Sequence, residues 1–135
     1  SAVAELKSNA DTLWKNGDYE AAARAYAEYA KQANWLANII SGGLEPFYSA
    51  SYDDRKNWYP DQLSFSDLSN AESKANSYKA ERNRAMLYEG LCYYNLGDYE
   101  TALPLLLKAL DLIELDDETN WELAMNAVYS IVGYK

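Results

Sequence analysis

The sequence predicts an all-α chain in which antiparallel helical hairpins stack as a short solenoid. Three observations predict it. The tetrapeptide Gly17-Asp18-Tyr19-Glu20 returns as Gly97-Asp98-Tyr99-Glu100, followed by Ala22 and Ala102 at equal distance. Around the second copy, Met86, Gly90, Tyr93 and Tyr94 on one side and Ala102, Leu105, Leu106, Ala109, Leu110 and Ile113 on the other recur at three- and four-residue steps, the spacing of a buried helical stripe and not of a strand. The turn chemistry fits as well: glycine adopts the left-handed conformation that ends a helix, and the aspartate accepts from the free backbone N–H groups of the next. A repeated turn between paired helices marks a stacked helical array.

Taken in order, the first helix covers Ala2 to Asn16, with Val3, Leu6, Ala10, Leu13 and Trp14 as its apolar stripe. The second starts after Asp18 and carries Tyr19, Ala22, Ala23, Tyr26, Tyr29, Ala30, Ala33 and the stretch 36–40, where Gly42-Gly43 is expected to stop it. From Tyr19 to Ile40 it is about 22 residues, longer than the usual globular helix, so its last two turns are expected to stand clear of the first helix and meet another element. Residues 1–40 thus form the first hairpin.

Residues 41–66 read as an aromatic insertion holding Phe47, Tyr48, Tyr52, Trp58, Tyr59 and Phe65, too many rings for a disordered linker. Pro46 suits the first turn of a short helix ending before Pro60. The insertion is expected to pack on the overhanging end of the second helix. A third long helix follows from Ser66-Asp67 to Leu96, with Leu68, Ala71, Ala75, Tyr78, Met86, Gly90 and Tyr93 on its stripe, and its overhang is expected to pair with that of the second. The fourth runs from Tyr99 to Leu115, with Pro104 bending it near the second turn. These two make a second hairpin, 67–115. The last helix, within 118–135, is apolar on two faces; one is expected to cover the fourth helix and the other to meet a further chain or a second copy in a homodimer. All 135 residues are read as one domain.

Charge and chemistry narrow the function. The net charge is −9, from 21 acidic and 12 basic residues, and a surface of that sign repels phosphate backbones, so nucleic acid is not the expected partner. The acids concentrate at Glu114, Asp116, Asp117, Glu118 and Glu122, a solvated turn or a docking patch for a basic partner. No apolar run approaches the about 18 residues of a membrane span. Without histidine, the commonest general base and metal ligand is missing. Cys92, the lone cysteine, sits on an apolar stripe as a buried thiol, rules out an intrachain disulfide and leaves the compartment open, as does the start at Ser1. Asp53-Asp54 and Asp116-Asp117-Glu118 have the residue types of a glycosidase or a hard-cation site, but adjacent acids on turns are ordinarily solvated and no calcium-loop spacing accompanies them. No enzyme, no cofactor and no metal is expected.

The second copy resembles the tetratricopeptide repeat, a helix-turn-helix unit. Gly90 stands at the small position of its first helix and Tyr93 at its tyrosine, while Ala102, Leu106 and Ala109 fill the small, aromatic and late-alanine positions of the second. Met86, Glu89 and Glu114 depart from the tryptophan, leucine and closing proline of the pattern. In the first copy the matching places hold Leu6, Asn9, Ala10, Leu13, Ala22 and Tyr26, with Asn34 for the proline. The resemblance covers about half of the chain. It implies a concave groove, lined by the first helix of each unit, that holds a partner protein or peptide. The groove positions are Lys7, Asp11, Trp14 and Lys15 in the first copy and Arg84, Leu87, Leu91, Tyr94 and Asn95 in the second. Lys7 falls where the family's carboxylate clamp has a lysine, but Asp11 replaces its asparagine and repels a terminal carboxylate. Leu87, Leu91 and Tyr94 suggest an apolar groove for an amphipathic helix or extended segment, or else contacts within the fold. The expected function is a non-catalytic interaction scaffold. Two alternatives stay open: a small-ligand or glycan receptor using Trp58 and Tyr59, and a structural subunit of a larger assembly.

Overall fold

The computed structural model describes residues 2–49, 65–114 and 116–133. Among them are five helices and no strand: α1 (Ala2–Lys15), α2 (Tyr19–Ser49), α3 (Phe65–Asn95), α4 (Tyr99–Leu112) and α5 (Glu118–Val132). Sequence neighbours pack on each other, α1 on α2, α2 on α3, α3 on α4 and α4 on α5, and α3 also touches α5.

The two predicted corners are built alike. Gly17 and Gly97 have φ of 75° and 78°, the left-handed region that glycine enters without a Cβ clash. At the first, Gly17 N–H donates to the Trp14 carbonyl and Asp18 N–H to that of Leu13, both at 3.0 Å. At the second, Gly97 and Asp98 donate to Tyr94 and Tyr93 at 3.0 and 2.9 Å. This paired pattern satisfies the last carbonyls of the outgoing helix. Each aspartate then caps the next helix, Asp18 accepting from Ala21 N–H and Asp98 from Thr101 N–H.

The second helix departs from expectation. It does not stop at Gly42-Gly43 but continues to Ser49, so Pro46 lies inside α2 and starts no helix of its own. Neither glycine has a positive φ. The cause is the apolar stripe: Ala33, Ala37, Leu44 and Phe47 keep helical spacing and are all buried. Burying Leu44 and Phe47 is worth about 1.5–3 kcal/mol each, more than the about 1 kcal/mol each glycine costs in a helix. Residues 41–49 and 65–66 of the expected insertion therefore belong to α2 and α3; the remainder, with the short helix, Trp58 and Tyr59, lies outside the described residues.

The overhangs of α2 and α3 pair along the most extensive interface among the described helices. Arg82 donates to Asn34 Oδ1 at 2.8 Å near its middle, and the Tyr48 hydroxyl donates to the Glu72 carboxylate near its end. One apolar cluster joins α1, α2 and α3 around Ala10, Ala22, Tyr26, Tyr29, Ala33, Ala85 and Cys92. A second joins α3, α4 and α5 around Leu87, Leu91, Leu106, Ala109, Ala124 and Val128. Trp14, Tyr88 and Tyr93 pack against both. Small residues set the distances: a Cβ built on Gly90 would lie 3.0 Å from Leu106 Cδ2, so α3 and α4 cross at a contact only glycine admits without a shift.

On α5, Ala124, Ala127 and Val128 are buried, whereas Leu123, Tyr129 and Val132 are exposed. The helix covers α4 with one face, and among the described residues Leu123, Tyr129 and Val132 of its other face stay exposed.

Candidate partner-binding trough

Lys7, Asp11, Trp14 and Lys15 fall at three- and four-residue steps along α1, on the side that looks toward α3. There they share a cleft of about 390 Å³ with Arg84, Ala85 and Tyr88 of α3, Tyr26 and Tyr29 of α2 and Asn120 of α5. Its apolar wall is aromatic. The Trp14 ring meets Tyr88 edge-on at 5.1 Å and Tyr19 at 5.3 Å, while Tyr26 stacks on Tyr88 at 5.5 Å. Such ring pairs are worth about 0.5–1.5 kcal/mol beyond the area they bury. They fix the Trp14 indole, which stays half-exposed.

The polar groups of the cleft are held unequally. The Tyr26 hydroxyl donates to Asp11 Oδ1 at 2.6 Å, so that carboxylate already has an internal donor. Burial first, and then this bond, push the Tyr26 pKa up. Tyr29 is buried with its hydroxyl unpartnered; burial and then the Glu81 carboxylate raise its pKa. Burial also raises that of Tyr88, with Arg84 acting in the opposite direction. All three phenols stay protonated near neutrality, with Tyr26 donating to Asp11. At the α5 end, Asn120 Nδ2 donates to Asp117 Oδ2 at 2.8 Å.

Of the nine groove positions read from the sequence, the structure gathers Lys7, Asp11, Trp14, Lys15 and Arg84 in this cleft and places the other four elsewhere. Leu87 and Leu91 are 0% and 5% exposed, inside the cluster between α3, α4 and α5, and offer nothing to a partner. Tyr94 donates to Ser130 Oγ of α5 at 2.7 Å and packs against Tyr99. Asn95 Nδ2 donates to the Leu91 carbonyl of its own helix at 2.8 Å. The reason lies in residue type. Lys7, Asp11 and Trp14 recur eighty residues on as Leu87, Leu91 and Tyr94. The charged set leaves its seam with the next helix open, and the apolar set draws α5 onto α3 and closes it. Sequence reasoning missed Tyr26, Tyr29, Tyr88 and Asn120. Tyr88 had a signal, since it lies one turn beyond Arg84 on the same side of α3.

Among the described residues no three His, Cys, Asp or Glu side chains gather as metal ligands would. Cys92 is fully buried, and burial with Glu89 nearby pushes its thiol up to about 12, far from a reactive thiolate. No helix among the described residues is long and apolar enough to cross a membrane.

A family model described as tetratricopeptide repeat matches residues 8–45 and 68–117, spans that contain most of the two hairpins. The chain belongs to the tetratricopeptide repeat family. Nothing among curated proteins or solved structures matches it. Tetratricopeptide repeats in general mediate protein–protein interaction and are typically non-catalytic. In family terms α1 and α3 are the first helices of the two units.

Proposed function

We propose that this chain is a non-catalytic interaction scaffold that holds a segment of a partner protein in the trough between α1 and α3. One observation carries the reading. Helices from two different hairpins converge on a single cleft whose wall is the pre-packed Trp14–Tyr88–Tyr26 stack, with Lys7, Lys15 and Arg84 around it. Rings locked by one another lose little freedom on binding, and this preorganisation favours affinity. An apolar side chain of the partner stacks on Trp14 while its polar groups meet the cations.

The aromatic segment holding Trp58 and Tyr59 lies outside the described residues and lends no geometry to a glycan or small-ligand reading. A second contact runs through α5, where exposed Leu123, Tyr129 and Val132 suit a further chain or a second copy. Concentration-dependent mass in light scattering supports the second copy.

The trough is tested by selecting peptides from a random displayed library on the folded protein, then titrating them into Trp14→Phe and Trp58→Phe variants while following tryptophan fluorescence. Loss of the binding signal in Trp14→Phe supports the trough. Loss only in Trp58→Phe moves the site to the aromatic insertion and refutes it.

A further inference from the structure

Two clefts join into one trough. The first, about 600 Å³, is lined by Lys7 of α1 and by Lys74, Tyr78 and Glu81 of α3, and the cleft of about 390 Å³ described above begins at the same Lys7. Their residues on α3 fall on one stripe from Asn70 to Tyr88, which at about 1.5 Å per residue makes a floor about 27 Å long. An extended segment of about eight residues, at about 3.3 Å each, spans that length.

The charge along this floor is opposite to that of the molecule. Lys7, Lys15, Lys74 and Arg84 face only Asp11 and Glu81, four cations to two acids, in a chain of net −9. Among the described residues no ion pair or hydrogen bond engages any of the four cations, and Lys74 Nζ lies over the Tyr78 ring, 5.8 Å from its centroid. Asp11 is already engaged by the Tyr26 hydroxyl. Cations without a carboxylate partner in a concave wall focus field toward an anionic ligand.

A third observation is independent of charge. Tyr29, which lines the trough, is 2% exposed, and its hydroxyl makes no hydrogen bond within normal geometry, although the Glu81 carboxylate lies near enough to raise its pKa. A buried donor left unmade costs stability, and an acceptor carried in by a ligand removes that cost.

We infer that the partner segment is acidic: an extended, internal stretch of about eight residues whose side-chain carboxylates meet Lys7, Lys15, Lys74 and Arg84, and whose innermost acceptor takes the hydrogen of the Tyr29 hydroxyl. The inference rests on the trough reading above. No free C-terminus is required, since recognition is spread along the floor instead of gathered at one end.

The test uses three synthetic ten-residue peptides, acetylated and amidated so that neither end is charged. Each alternates Leu or Phe with one polar residue: Glu, Gln or Lys. In fluorescence anisotropy the Glu peptide is expected to bind at least tenfold more tightly than the Gln peptide, and the Lys peptide not to saturate. Binding of the Glu peptide weakens several-fold between 50 and 300 mM salt, roughly the range over which the Debye length falls toward molecular contact distances. Lys7→Glu and Arg84→Glu, both surface changes, lower its affinity at least tenfold with the circular dichroism spectrum unchanged. Tyr29→Phe lowers it threefold or more without lowering Tm, a split that a merely structural role would not produce. Equal binding of the Glu and Gln peptides, or tighter binding of the Lys peptide, overturns the inference; it leaves the trough standing if library-selected peptides still lose their signal in Trp14→Phe. Failure of all three peptides overturns the inference as well, and the library selection then decides the trough separately.

Discussion

Replacing Gly90 by alanine adds one methyl group at the close crossing of α3 and α4, and its effect follows from three distances. The new Cβ would meet Leu106 Cδ2 at 3.0 Å, Leu106 Cγ at 3.1 Å and Leu105 Cβ at 3.2 Å. Optimal carbon contacts lie at about 3.5–4.0 Å, and Leu106 is 0% exposed, so its side chain has nowhere to swing. Overpacking of this kind costs about 1–3 kcal/mol, against about 1 kcal/mol gained in helix propensity. The net is a loss of about 1 kcal/mol for Gly90→Ala, and about 3 kcal/mol for the bulkier Gly90→Leu. The control is the same substitution in α2, where a Cβ on Gly42 or Gly43 would meet nothing within 4 Å. Gly42→Ala and Gly43→Ala should each add about 0.5–1 kcal/mol. At about 3–4 °C per kcal/mol for a chain of this length, thermal melts should show Tm falling in Gly90→Ala and rising in Gly42→Ala. A Gly90→Ala protein that melts at or above the parent refutes the close crossing. A Gly42→Ala protein that melts lower refutes the uninterrupted α2.

Other consequences can be checked with equal economy. Gly97→Ala meets no steric contact but must hold φ of 78°, so chemical denaturation should show a loss of about 1 kcal/mol from backbone strain alone. Burial raises the Glu89 carboxyl above its usual 4.5, so the fold disfavours its charged form. Stability from the neutral carboxyl is complete below the unfolded value and is lost as pH rises through the higher folded one. Glu89→Gln should therefore raise Tm at pH 7 and change it little at pH 4; an equal shift at both would contradict this. The thiol of Cys92, pushed up to about 12 by burial, should resist a disulfide reagent at pH 8 until denaturant opens the chain. Rapid labelling of the native protein would mean that the core between α1, α2 and α3 is wrongly drawn.

What the sequence made legible was what local chemistry decides. The two corners were readable because Gly17 and Gly97 need a conformation that glycine alone enters easily, and because an aspartate follows each. Helix α3 was readable because Leu68, Ala71, Ala75 and Tyr78 and then Met86, Gly90 and Tyr93 keep helical spacing; its end at Asn95 lies one residue from the expected Leu96, and its start at Phe65 precedes the expected caps Ser66-Asp67. The continuation of α2 through Gly42-Gly43 was not, since two glycines argue for a stop and only the tertiary burial of Leu44 and Phe47 overrules them. The candidate site divided the same way. The α1 positions were placed by spacing, and Lys7, Asp11, Trp14 and Lys15 do lie together. Carrying that pattern eighty residues forward misled at Leu87 and Leu91, because apolar side chains at the same positions draw in α5 and close the seam. Whether a repeat position faces a partner or the next helix depends on the residue it holds, and the tyrosines that α2 contributes from behind have no marker in the repeat at all.

The most direct test of the trough is residue-resolved. Backbone amide spectra of the uniformly labelled protein, recorded while a library-selected peptide is added, report which residues the partner segment touches. The account predicts that shifts cluster at Lys7, Asp11, Trp14 and Lys15 of α1 and at Arg84, Ala85 and Tyr88 of α3, with the Trp14 indole signal among the largest. Shifts confined to the exposed face of α5 or to residues 50–64, with α1 unmoved, would contradict it.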